Sequence, residues 1–195
     1  ALYRESLAIA RQANTQAISS RRILAYNNLA YHLHLLGDPS AVEHARAGLA
    51  LAQEKGELAL QPFLLSTLGE IALAAEDFDL AERYFDDGLT LAERLSIPER
   101  ITGLTANLGL LARARGQTDL AIYRLSAALA RADALGLRHL AAQTRLWLVP
   151  LLPPTEARAR LVEARAIAEA GGRRKLLEEI ARLENFKLQT PNLKL

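Results

Sequence analysis

Small and leucine side chains return along this chain at a fixed interval. Leu29, Leu68, Leu108 and Leu148 are 39, 40 and 40 residues apart, and Ala41, Ala81 and Ala121 are 40 apart. Gly48, Gly88 and Ala128 keep the same interval, each followed by leucine (Leu49, Leu89, Leu129). Such a period means that one supersecondary unit is copied along the chain, each copy burying its apolar face against the next. The one-residue deficit falls at Gly37-Asp38-Pro39-Ser40, a turn one residue shorter than Glu76-Asp77-Phe78-Asp79-Leu80. Loops between helices tolerate such a change, so the register survives it.

Each period holds two apolar stripes at helical spacing. In the second copy Leu64, Leu65, Leu68, Ile71, Ala72 and Ala75 form one, and Leu80, Ala81, Tyr84, Phe85, Gly88, Leu89 and Leu91 form the next. Asp77 and Asp79 lie between them, where acidic residues suit the N-cap and the positive end of the helix dipole. The third copy turns at Gly116-Gln117-Thr118-Asp119. Period-two alternation is absent and Ala, Leu, Arg and Glu dominate, so the chain reads as all-α, a solenoid of antiparallel helix hairpins. The spacing predicts a single repeat domain over 1–186. Within it, 1–17 is the second helix of a truncated repeat, since Tyr3 to Ala10 aligns with Phe85 to Ala92. Full repeats follow over 18–56, 57–96 and 97–136. A degenerate one covers 137–170, its first helix cut short by Pro150, Pro153 and Pro154. Leu176, Leu177, Ile180 and Leu183 then mark a capping helix within 172–186, and 187–195 is an irregular tail.

Composition narrows the function. There is no cysteine, so disulfides, Cys-ligated metals and a thiol nucleophile are excluded and a reducing cytoplasm is the expected setting. No apolar run reaches the length of a membrane span, and the N-terminus lacks the build of a signal peptide. Methionine is absent even at position 1, which points to a segment of a longer protein. The formal net charge is only +2. From Pro153 onward nine basic residues face six acidic ones, but the signs alternate at helical spacings. That pattern favours a solvated face over a phosphate-binding one, and nucleic acid through Arg158, Arg160, Arg165, Arg173, Arg174 and Lys175 is the disfavoured reading.

The paired motifs Leu29-Ala30, Leu68-Gly69 and Leu108-Gly109, each followed by small residues seven apart (Ala41 and Gly48, Ala81 and Gly88, Ala121 and Ala128), resemble the tetratricopeptide repeat. The period near 40 resembles its longer versions in kinesin light chains and in the sensor regions of large bacterial regulators; the commonest repeat length is 34. The likeness covers about residues 1 to 170. It implies an α-α superhelix, a right-handed solenoid whose concave face is lined by the first helix of each repeat and binds proteins or peptides. Alanine or glycine at a helix crossing lets the backbones approach, which offsets the roughly 1 kcal/mol that a mid-helix glycine costs.

The resemblance places a groove on named residues. Asn27-Asn28-Leu29-Ala30 resembles runs in kinesin light chains, Asn107 matches Asn28, and Thr67 and Trp147 stand at the corresponding places. Tyr31, Glu70 and Leu110 follow one turn on, then His34, Leu73 and Arg113. In the family an asparagine here bonds the backbone of an extended peptide; the alternative is that Asn28 and Asn107 bond neighbouring helices. Trp147 reads as a core or cap residue. The chaperone-binding branch grips a terminal carboxylate with basic residues, but the matching places here are Gly103 and Asn107, which disfavours that ligand.

Catalysis has little to stand on. His32 and His34 face about 200° apart on a helix, unlike a metal-binding i, i+4 pair. Glu76, Asp77, Asp79, Asp86 and Asp87 lack the calcium-loop pattern, and no phosphate loop occurs. The reading is therefore a noncatalytic module without cofactor or metal. It binds a protein, peptide or small effector within a larger cytoplasmic bacterial signalling or transcription regulator. The alternative is a scaffold that self-associates through the apolar N-terminal edge of Leu2, Leu7 and Ile9.

Overall fold

The computed structural model describes residues 16–189. Residues 1–15 of the expected helix over 1–17, with its apolar edge, and the end of the tail beyond 189 lie outside the described residues, while Gln16 and Ala17 begin the next helix. Nine α-helices fill the described chain and no strand is present in it. They are α1 (Gln16–Leu35), α2 (Ala41–Glu54), α3 (Gln61–Ala74), α4 (Phe78–Arg94), α5 (Pro98–Ala114), α6 (Thr118–Ala134), α7 (Arg138–Leu148), α8 (Pro154–Ala170) and α9 (Arg174–Gln189). The last helix runs three residues past the expected end at Phe186, because Lys187-Leu188-Gln189 are good helix formers and the first breaker is Pro191. Short 3-10 turns occupy Leu58–Leu60 and Val149–Leu151.

The helix ends explain the short connections. From one helix to the next the same C-terminal cap recurs. The amides of Glu57, Asp77, Ile97, Gln117 and Leu137 donate to the carbonyls of Ala52, Ala72, Ala92, Ala112 and Ala132, at 2.8 to 3.0 Å. This is the 6→1 bond of the Schellman motif, which needs a left-handed residue just before the donor. Gly56, Gly116 and Gly136 fill that place, but Glu76 and Ser96 do so with φ of 59° and 52°, which a side chain disfavours. At the other end Asp77 caps α4, its carboxylate accepting from the Leu80 amide at 3.1 Å. Prolines shape the later part as the sequence predicts. The helix α7 stops after eleven residues, Pro150 stands in the 3-10 turn, and Pro154 opens α8.

The chain divides into two compact units within α5, the first ending at Asn107 and the second beginning at Leu108. In the first, α1 packs on α2, α2 on α3 and α3 on α4, while α1 also touches α3. Ile23, Tyr26, Leu29, Leu33, Leu51 and Leu64 form its largest apolar cluster. A side chain at Gly48 would place its first carbon 2.6 Å from Leu64 and 2.8 Å from Tyr26, so the close approach of α2 to its neighbours demands glycine. At Gly69 the same carbon would fall into the Phe85 ring. In the second unit α7 packs between α6 and α8, and α8 packs on α9. Leu146, Val149, Leu161, Leu176 and Ile180 are its core.

Candidate functional site

Polar side chains gather on the first helices of the hairpins in the first unit. On α1, Asn27 is half-buried and its Oδ1 accepts from Thr67 Oγ1 of α3 at 2.9 Å. One turn further along α3, Glu70 Oε1 accepts from Ser66 Oγ at 3.1 Å and from Asn107 Nδ2 of α5 at 3.0 Å. Asn107 Nδ2 also donates to Ser66 Oγ at 3.0 Å. Glu70 Oε2 accepts no hydrogen bond among the described residues. The charges around this carboxylate come from two helices. Burial raises its pKa, against the hydrogen bonds from Asn107 and Ser66 and the charges of His34 on α1 and Arg100 on α5, which lower it. Burial likewise raises the Tyr31 hydroxyl, helped by the Glu70 charge. Tyr31 is 37% exposed and lies edge-on to His32, their ring centres 5.8 Å apart.

Arg100 completes the set. Its guanidinium carbon sits 4.1 Å from the centre of the Phe63 ring, close enough for a cation–π contact. Burial lowers its pKa, opposed by Glu99 and Glu70. Among the described residues its side chain makes no hydrogen bond or ion pair.

Six of the nine groove residues expected from the sequence therefore fall in this unit as neighbours on α1, α3 and α5: Asn27, Tyr31, His34, Thr67, Glu70 and Asn107. Asn28 is also on α1, but it is exposed and the partner of Thr67 is Asn27. Asn107 is buried and bonds α3. Leu110 and Arg113 belong to the second unit. There Arg113 Nη1 donates to the Trp147 carbonyl at 3.2 Å, burial lowers its pKa, and Glu179 acts in the opposite sense. Trp147 itself is half-buried.

Phe63, Ser66 and Arg100 are the residues that the sequence reading misses. A signal for them exists. Phe63, Ser66 and Glu70 share one face of α3, while Arg100, Gly103 and Asn107 repeat that spacing on α5. Of the C-terminal basic residues, Arg160 pairs with Glu163 at 3.2 Å and Arg165 with Glu184 at 2.6 Å. Among the described residues no three His, Asp or Glu side chains converge as a metal site requires, and no helix is long and apolar enough to cross a membrane.

No family model matches the chain, and no curated protein matches it. Among solved structures it is similar to the crystal structure of BtubC (BKLC) from P. vanneervenii, at 21% identity and a TM-score of 0.60. The match covers 100% of this chain and 74% of that one. The likeness shows the fold, an all-α superhelix built from helix hairpins.

Proposed function

We propose that the chain is a noncatalytic binding module whose ligand lies across α1, α3 and α5 of the first unit. One observation carries this reading. The second helices bring buried small residues such as Ala41, Ala45, Gly48, Ala81 and Gly88 to the crossings, whereas the first helices gather Asn27, Tyr31, His34, Glu70 and Arg100 on neighbouring positions. A half-buried carboxylate and a half-buried guanidinium stabilise a fold poorly, because desolvation opposes both. They suit recognition, where a ligand supplies the missing partners.

The biological setting we propose is a cytoplasmic bacterial regulator, in which ligand binding alters how the module presents itself to its partners. The resemblance of the repeats to regulator sensor regions supports it. The reading is tested by selecting binders from a random-peptide display library and by a metabolite panel in thermal-shift format. Binders should lose affinity for Tyr31→Ala and Glu70→Gln while both variants keep their melting temperature. Binders that retain full affinity for both variants would move the site elsewhere.

A further inference from the structure

Glycine inside a helix calls for a reason, and most here have one. Built side chains at Gly48, Gly69 and Gly88 meet Leu64 and Tyr26, Phe85, or Leu104 and Leu65. Gly103 differs: it lies in the middle of α5, and a carbon added to it meets nothing within 4 Å. Packing therefore does not account for it. It sits on the face of α5 that carries Arg100 one turn before and Asn107 one turn after. Arg100 covers Phe63 at one end, and Asn107 bonds Ser66 and Glu70 at the other. These contacts put the two helix faces in register, with bare backbone at Gly103 between the charged groups.

The two charges have not collapsed onto each other. No ion pair joins Arg100 and Glu70, although each feels the other's field. Phe63 holds the guanidinium, and Asn107 with Ser66 holds one oxygen of the carboxylate. Seven residues of helix separate the levels of Arg100 and Asn107, a rise of about 10 Å. The two helix faces thus carry a cationic group, an anionic group and, at Gly103, open space.

We propose that these groups form a slot for a small zwitterion of the α-amino acid type, its carboxylate on the Arg100 guanidinium and its ammonium on Glu70 Oε2. A planar guanidinium lying on an aromatic ring keeps its in-plane donors for a carboxylate, and Arg suits that bidentate pairing better than Lys. An ammonium donates to the oxygen that Asn107 and Ser66 leave without a bond. Tyr31 and His34 lie on the α1 side of Glu70 and select among side chains. The proposal rests on the binding reading above and narrows its ligand.

The test uses the chain as it stands, with the free α-amino acids as probes, each beside its N-acetyl and its carboxamide derivative, in thermal-shift and calorimetric titrations. At least one free amino acid should bind, and blocking either end should weaken it about thirtyfold or more, the usual effect of removing one partner of a buried charge pair. Arg100→Met and Gly103→Leu should each abolish binding while the melting temperature holds, since the first side-chain carbon at Gly103 meets nothing within 4 Å. Equal binding of blocked and free forms, or no binding by any free amino acid at millimolar concentration, overturns the zwitterion slot. If library peptides still need Glu70 in that case, the broader binding reading stands alone; if nothing needs Glu70, both fall.

Discussion

Asn107 and Asn28 stand at matching places in the repeat pattern and do different work. Asn107 holds Ser66 and Glu70 from the neighbouring helix, so Asn107→Ala leaves Glu70 Oε1 with a single donor in a half-buried place. Its expected cost is about 1–3 kcal/mol in urea denaturation, while exposed Asn28→Ala stays within about 0.5 kcal/mol. Equal effects would mean that the amide bonds to α3 contribute nothing. Glu70 makes a second prediction, in pH. Its folded-state pKa is raised by burial, in a surrounding of His34 and Tyr31 from α1 and Arg100 from α5. The unfolded chain therefore releases this proton first, and the stability linked to Glu70 is present at acid pH and declines as pH rises through the raised value. Glu70→Gln keeps the acceptor and removes the charge, so the melting temperature at pH 7 should hold or rise, and it should fall relative to wild type on acidification. Affinity for an ammonium ligand runs the other way, weakening as pH drops through that same pKa.

At the scale of an element, what a helix needs at a crossing differs from what it needs in its own backbone. Alanine is the better helix former than glycine by about 1 kcal/mol, so Gly103→Ala, with nothing within 4 Å of the new carbon, should stabilise α5 by up to that amount. Gly69→Ala carries the same propensity gain but drives its methyl into Phe85, a buried ring of α4, and should lose a net 1–3 kcal/mol or so. Thermal melts of the two variants should move in opposite directions; a shared direction would refute the close α3–α4 approach. Helix ends yield a prediction of their own. Glu76 and Ser96 hold the left-handed cap position that glycine holds at 56, 116 and 136, so Glu76→Gly and Ser96→Gly should each stabilise by about 1 kcal/mol. Loss of stability in either variant would show that the side chain has a role beyond its backbone angle.

Across the molecule, each compact unit has its own core and its own polar fastening. In the second unit Arg145, only 8% exposed, reaches from α7 to both flanking helices. It grips Asp133 of α6 with two bonds, at 3.0 and 2.9 Å, and Glu163 of α8 with one at 2.7 Å. The hydrogen bond from Arg145 holds the Glu163 carboxyl below its ordinary 4.5, against burial, so this contribution is full above that value and is lost as pH falls through the folded pKa. Arg145→Ala should destabilise by about 2–4 kcal/mol and remove part of the acid sensitivity. Hydrogen exchange should quicken in α6, α7 and α8 well before it does in α1 to α3, because each unit of such an array is stabilised mainly by its neighbours. Uniform loss of protection along the chain would mean that the described residues unfold as one body.

The 40-residue recurrence of leucine, alanine and glycine is enough to determine helix hairpins, because only small residues admit close crossings and that requirement is written at fixed positions. The proline-shortened α7 and the Asp77 cap follow from local backbone chemistry and are legible for the same reason. The partners of the polar groups are not. Asn27 meets Thr67 at a separation of 40 residues, one more than the 39-residue interval that matches Asn28 with Thr67, and Asn107 meets Glu70 at 37, one helical turn off the 40-residue period. The Arg145 grip joins residues 12 and 18 apart, with no period at all. Such pairs depend on how far one helix slides along the next and on which rotamer a long side chain adopts. Those are properties of packing, so only the tertiary structure could place Arg100 on Phe63, leave Gly103 bare and hold Glu70 within reach.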